Sequence, residues 1–183
     1  MTPSRKALRA ATAEAHDRVD AAFGDFDLTD RESYARFLAA HADVVWALEA
    51  ALPGERVTAD WEDRKRGALL REDLAQLPKV GQAHPASPPV FDSDAAIAGT
   101  LYVLEGSRLG GKFLARSLPT GFPRAYLDSD QRAEKWQQLL AAIDDSLRDP
   151  AALEAARTAA LATFAAFEHS AENWRKVQIG DGR

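Results

Sequence analysis

Apolar residues recur along most of this chain at intervals of three and four, the period of a helix buried on one side. The spacing predicts a first helix over residues 4–23, with Ser4 as its cap, and a second over about 31–52, capped by Asp30. In the second, Tyr34, Phe37, Leu38, His41, Val45, Leu48 and Leu52 share one stripe, and Pro53-Gly54 ends it. A third helix is predicted over about 61–77, capped by Asp60 and stopped by Pro78. The proline-rich segment 78–94 reads as a loop. Ser93 or Asp94 then opens a fourth helix that stops before Pro119. After a second loop over 119–130, two further helices are expected over about 130–148 and 150–176, with Pro150 in the first turn of the last and 178–183 as a flexible tail. No β-alternation competes with this pattern. The expected fold is all-α, a compact helical bundle in a single domain over 1–183.

The fourth helix carries an apparent defect. In "LYVLEGSRLGGKFLARSL" (101–118), Gly106, Gly110 and Gly111 interrupt an otherwise apolar pattern. Each costs a helix about 0.8–1 kcal/mol relative to alanine. Gly106 and Gly110 are four residues apart and so share a face, with Tyr102 one turn earlier on the same stripe. Two readings fit a face stripped of side chains: a close crossing with a neighbouring helix, or a flat ligand lying against the backbone.

A partner for the second reading lies on the first helix, in "LRAATAEAHDRVD" (8–20). A neutral imidazole at His16 is a good iron ligand, and Arg9, two turns earlier on nearly the same face, can meet an acidic group on the edge of a macrocycle. Arg5 and Lys6 extend that positive rim, and Asp20 can orient the imidazole. The plainer reading of His16 is a surface residue paired with Asp20 at i,i+4. His41 is expected in the core with a hydrogen bond, His84 in an exposed loop, and His169 as structural or exposed.

Composition removes several classes of chemistry. The chain has 183 residues, 46% of them hydrophobic, and no cysteine, so disulfides, zinc-thiolate sites and iron–sulfur clusters are excluded. A net charge of −5 argues against nonspecific nucleic-acid binding. No apolar run approaches the length of a membrane span. The N-terminal stretch lacks the apolar core of a secretory signal, so a cytoplasmic protein is expected. The run "EDRKRGALLRED" (62–73) reads as a solvated, mixed-charge helix face.

The histidine helix and the glycine helix together resemble the haem oxygenase family, and "YVLEGSRLGG" (102–111) is closest to the branch associated with bacterial phytochromes. "ARTAALATFAAFEHSAENW" (156–174) is similar to the family's last helix. The resemblance implies haem b as both substrate and cofactor, bound between the first and fourth helices. It implies cleavage of haem at a meso carbon to biliverdin, carbon monoxide and ferrous iron, with dioxygen as co-substrate. Electrons would come from an external ferredoxin or reductase, and a biliverdin-binding phytochrome is an implied acceptor.

By the same resemblance His16 is the axial iron ligand, Gly106, Gly110 and Gly111 let the distal helix lie against haem, Tyr102 and Val103 line the pocket, and Ser107 lies near dioxygen. Arg9 matches a cation that contacts a propionate, and Lys135 and Arg132 are further rim candidates. Two positions depart from many members. Ser107 stands where they carry an aspartate, and Val103 where they carry an arginine. Those departures keep a rival reading open, a haem-binding sensor or carrier without the chemistry. An enzyme of the related fold acting on a soluble heterocycle, and a bundle whose glycines serve packing alone, are more distant alternatives.

Overall fold

The computed structural model describes residues 1–129 and 132–180, and every regular element among them is helical. Helix α1 spans Pro3–Gly24. Its cap is Thr2 rather than Ser4: the Thr2 hydroxyl accepts the amide of Arg5, and Pro3 fills the first helical position, where a missing N–H costs nothing. The Ser4 hydroxyl donates instead to the Leu147 carbonyl. Helix α2, Arg31–Ala51, starts as expected on Asp30, whose carboxylate accepts the Ser33 amide at 2.7 Å.

The third expected helix is broken. A 3-10 turn at Gly54–Arg56 precedes α3, Trp61–Arg64, and α4, Gly67–Ala75. Asp60 makes no capping bond; it accepts from the Thr58 hydroxyl and the Arg64 guanidinium. The break has a tertiary cause. Arg64 and Arg66 are both buried, and both reach the same stretch of the glycine helix. Two residues apart on one helix, they would point in nearly opposite directions. An extended Lys65 between them turns both inward, so the run over 62–73 is not the solvated face expected of it.

Helix α5, Asp94–Ser117, is capped by Ser93. Helix α6 is Ala133–Ser146, and positions 130–131, where its start was expected, lie outside the described residues. Helix α7, Pro150–Gly180, runs further than expected, and positions 181–183 of the expected tail lie outside the described residues.

Helix α7 is the spine against which α1, α2 and α5 pack. The closest approach is at Gly99 of α5, where a Cβ would overlap the Ala156 backbone. Asp43 of α2 fixes α7 by accepting the Trp174 indole N–H at 2.7 Å, and fixes the 78–93 loop by accepting the His84 amide at 2.8 Å. Asp73, at the end of α4, accepts the amides of Ala125 and Tyr126 and so pins the turn that carries Tyr126 into the interior. No helix among the described residues is long and apolar enough to cross a membrane.

Candidate active site

A cleft of about 760 Å³ opens between α1 and α5, in the size range of small-molecule sites. Helix α1 contributes His16, Arg9 and Arg5, and α5 contributes Tyr102, Val103, Gly106, Ser107 and Gly110. Phe164 and Phe167 of α7 and Phe37 of α2 make its apolar depth.

The glycines divide by what surrounds them. A Cβ at Gly106 or Gly110 would meet nothing within 4 Å. No neighbouring helix fills that face, so the close-crossing reading fails for this pair, and Gly99 is the position that serves a crossing. Gly111 also borders the cleft, but its Cβ would lie 3.1 Å from the Leu127 carbonyl, so its lack of a side chain serves packing on the 125–128 turn.

The plainer reading of His16 holds, and the residue also faces the cleft. Its side chain is 59% exposed, and Nδ1 lies 3.2 Å from the Asp20 carboxylate. The same ring borders the cleft and meets Phe164 edge-on at 6.0 Å.

The positive rim is shorter than expected. Arg9 borders the cleft, and its charge partly offsets the rise that burial imposes on the Tyr102 phenol pKa. Arg5 is committed to Asp144 at 2.8 Å. Lys135 does not line the cleft; its ammonium lies 3.5 Å from Asp60. Lys6 and Arg132 are exposed and likewise do not line it.

Three cleft residues were not legible as such in the sequence. Arg66 donates from Nη2 to the Ser107 hydroxyl at 3.0 Å and to the Leu104 carbonyl at 2.9 Å, with its guanidinium stacked 4.7 Å over the Tyr126 ring. Tyr126 itself is delivered by the turn that Asp73 pins. His41 sits among Phe23, Phe37 and Tyr126, and Nδ1 lies 2.9 Å from the Phe37 carbonyl. A carbonyl only accepts, so Nδ1 carries the proton. Burial lowers the pKa of His41 to about 4, the Phe37 carbonyl opposes that fall, and the nearby Arg66 charge adds to it. His41 is therefore neutral near pH 7, with Nε2 as an acceptor. One signal for Arg66 was present: Gly67, where a Cβ would overlap Trp46 and Glu49, marks the charged run as packed rather than solvated.

Glu105 does not enter the cleft. It is buried between Arg64 and Arg108, which removes the carboxylate that a polar heterocycle pocket would need.

Fold and cleft together define an all-helical protein that presents bare backbone on one wall and an imidazole on the other, suited to a flat, largely apolar ligand. A haem oxygenase of Xanthomonas campestris pv. campestris is 36% identical over 147 residues, which cover 75% of this chain and 88% of that protein. The haem oxygenase PigA of Pseudomonas aeruginosa is 30% identical over 154 residues, 75% of each chain. Among solved structures, the NO- and CO-bound haem oxygenase of Neisseria meningitidis matches with a TM-score of 0.76 over 98% of this chain and 94% of that one, at 20% identity, which bears on the fold. No family model matches the chain. At these identities and coverages, the chain belongs to the haem oxygenase family.

Proposed function

We propose that this haem oxygenase takes haem b into the cleft between α1 and α5, with His16 as the axial ligand and the backbone at Gly106 and Gly110 as the opposite wall. One observation carries the reading: those two glycines face open space, in a cleft whose other wall bears His16. Asp20 engages Nδ1 and leaves Nε2 for iron. Arg9 meets a propionate at the rim, and Tyr102 and Val103 form the wall beside the glycines. When bound, haem supplies both the redox iron at which dioxygen is reduced and the carbon that is oxidised, giving biliverdin, carbon monoxide and ferrous iron.

The remaining residues set water and proton positions. Ser107 stands in place of the family's carboxylate. Its hydroxyl donates to the Leu104 carbonyl at 2.7 Å and accepts from Arg66, so its orientation is fixed from both sides. A hydroxyl there is a far weaker acid than a carboxyl group, and water held by Ser107 and the exposed helix backbone is the gentle proton source that meso-carbon attack requires. The phenylalanine-lined depth keeps bulk water from the reacting face. Electrons come from a reduced ferredoxin or a reductase. The wording of 102–111 supports the phytochrome-associated branch, with a phytochrome as acceptor of the product.

Purified protein with haem shows a Soret band that disappears on exposure to a reductant and air; a carrier keeps the band. His16→Ala loses the axial-ligand spectrum and turnover, and added imidazole restores both. Turnover that is undiminished in His16→Ala without imidazole overturns the assignment.

A further inference from the structure

The wall formed by Gly106 and Gly110 is open on its cleft side, so nothing there sets how far α5 stands from α1. Its height is set from behind. Glu105 is 2% exposed, and Arg64 Nη1 binds its Oε2 at 3.0 Å while Arg108 binds its Oε1 at 3.0 Å. Arg108 also donates to the Arg64 carbonyl, and Arg66 donates to the carbonyl of Leu104. Each residue of the α5 stretch 104–108 other than Gly106 is therefore gripped by the α3–α4 segment. Arg64 carries the grip outward, to Asp60 at 2.6 Å and to the Lys135 carbonyl of α6 at 3.0 Å. N-terminal to this stretch α5 is fixed on α7 at Gly99, and C-terminal to it on Leu127 at Gly111. The stretch between these anchors includes Gly106, where the helix forgoes about 0.8–1 kcal/mol relative to alanine.

We propose that Glu105, clamped between Arg64 and Arg108, is a positioning residue that fixes the height and tilt of the glycine wall over the substrate and thereby the selectivity of ring opening. The inference rests on the reading of the cleft as a haem site. Glu105 acts through the helix: its carboxylate faces the brace, and Gly106, the next residue, faces the cleft. A carboxylate suits this role because one side chain with two oxygens takes one guanidinium on each, coupling two elements at a fixed separation.

The test uses two variants. Glu105→Asp keeps the charge and shortens the reach by one methylene. The triple change Arg64→Met, Glu105→Met and Arg108→Met removes all three charges of the buried cluster together and replaces them with apolar side chains of similar size, an exchange that buried ionic clusters often tolerate. Two readouts apply. Amide hydrogen exchange over 103–111 is followed in the haem-free protein, and the biliverdin isomers are resolved after a single turnover of the haem complex. The expected result is exchange at 104–110 faster by about tenfold, an altered isomer ratio, and a haem Kd within about threefold of the unsubstituted protein. If a variant that melts earlier keeps both the exchange pattern and the isomer ratio, Glu105 is a stability element only and the proposal fails. If the unsubstituted protein binds no haem, the haem reading fails instead, and the exchange experiment still decides whether Glu105 holds the wall.

Discussion

Alanine at Gly106 and Gly110 makes stability and binding move in opposite directions. Neither glycine has a positive φ, and neither Cβ would meet an atom within 4 Å, so the added methyl groups strain nothing in the haem-free protein. Each replacement then gains the helix propensity that glycine forfeits, about 0.8–1 kcal/mol, or nearly 2 kcal/mol for the pair. With 183 residues the unfolding entropy is about 0.4 kcal/mol/K, so the double variant melts about 4–5 °C higher. The same methyl groups project into the space assigned to the macrocycle. Overpacking of that kind costs about 1–3 kcal/mol, which lowers haem affinity roughly 5- to 150-fold. Thermal unfolding by circular dichroism gives the first quantity, and haem titration followed by the Soret band gives the second. A double variant that melts lower than the parent would show that the glycine face is packed rather than open. A double variant that binds haem with parental affinity would place the ligand elsewhere.

Other substitutions probe neighbouring parts of the argument. Gly99→Ala drives a methyl into the Ala156 backbone where α5 crosses α7, so it lowers the melting temperature sharply, in contrast to the same change at Gly106; equal behaviour at the two sites refutes the division of roles. Arg9→Glu weakens haem binding or alters the biliverdin isomer formed, and an unchanged Kd with an unchanged isomer removes Arg9 from the rim. His41 predicts an acid-labile fold. Its pKa falls from 6.5 to about 4 on folding, so the unfolded chain takes up a proton that the native protein refuses. The stabilisation is complete above pH 6.5 and is lost as pH falls toward 4, by roughly 3 kcal/mol in all. His41→Gln flattens the stability profile in that window, and an unaltered slope in urea titrations between pH 6.5 and 4 contradicts the assignment.

How far the sequence could be read depended on how local the physics was. Asp30 and Ser93 announced their helices because a capping side chain bonds within its own turn. At the first helix Thr2 and Ser4 are both good capping residues, and only Pro3 between them, which suits the first helical position, favours Thr2. The break between α3 and α4 was hidden because it answers to partners on α5, about forty residues away, and a charged run looks solvated until its partners are known. The same divide runs through the site. His16 and the Gly106–Gly110 face were visible as patterns of one helix each. Arg66 and His41 belong to the cleft through contacts that spacing does not encode. Nor did spacing distinguish Gly111, which packs on a turn, from Gly110, which faces open space.

The two walls of the cleft both lean on α7 and scarcely touch one another. On the proposed binding mode, a disc between them would join two walls that otherwise meet through α7. By mass action, haem at a hundred times its Kd adds about 2.7 kcal/mol to the folded state. On that reading the enzyme consumes the molecule that stabilises it. Its resistance to proteolysis would then rise while haem is plentiful and fall as the supply is exhausted, tying the catalyst's lifetime to the remaining need for it.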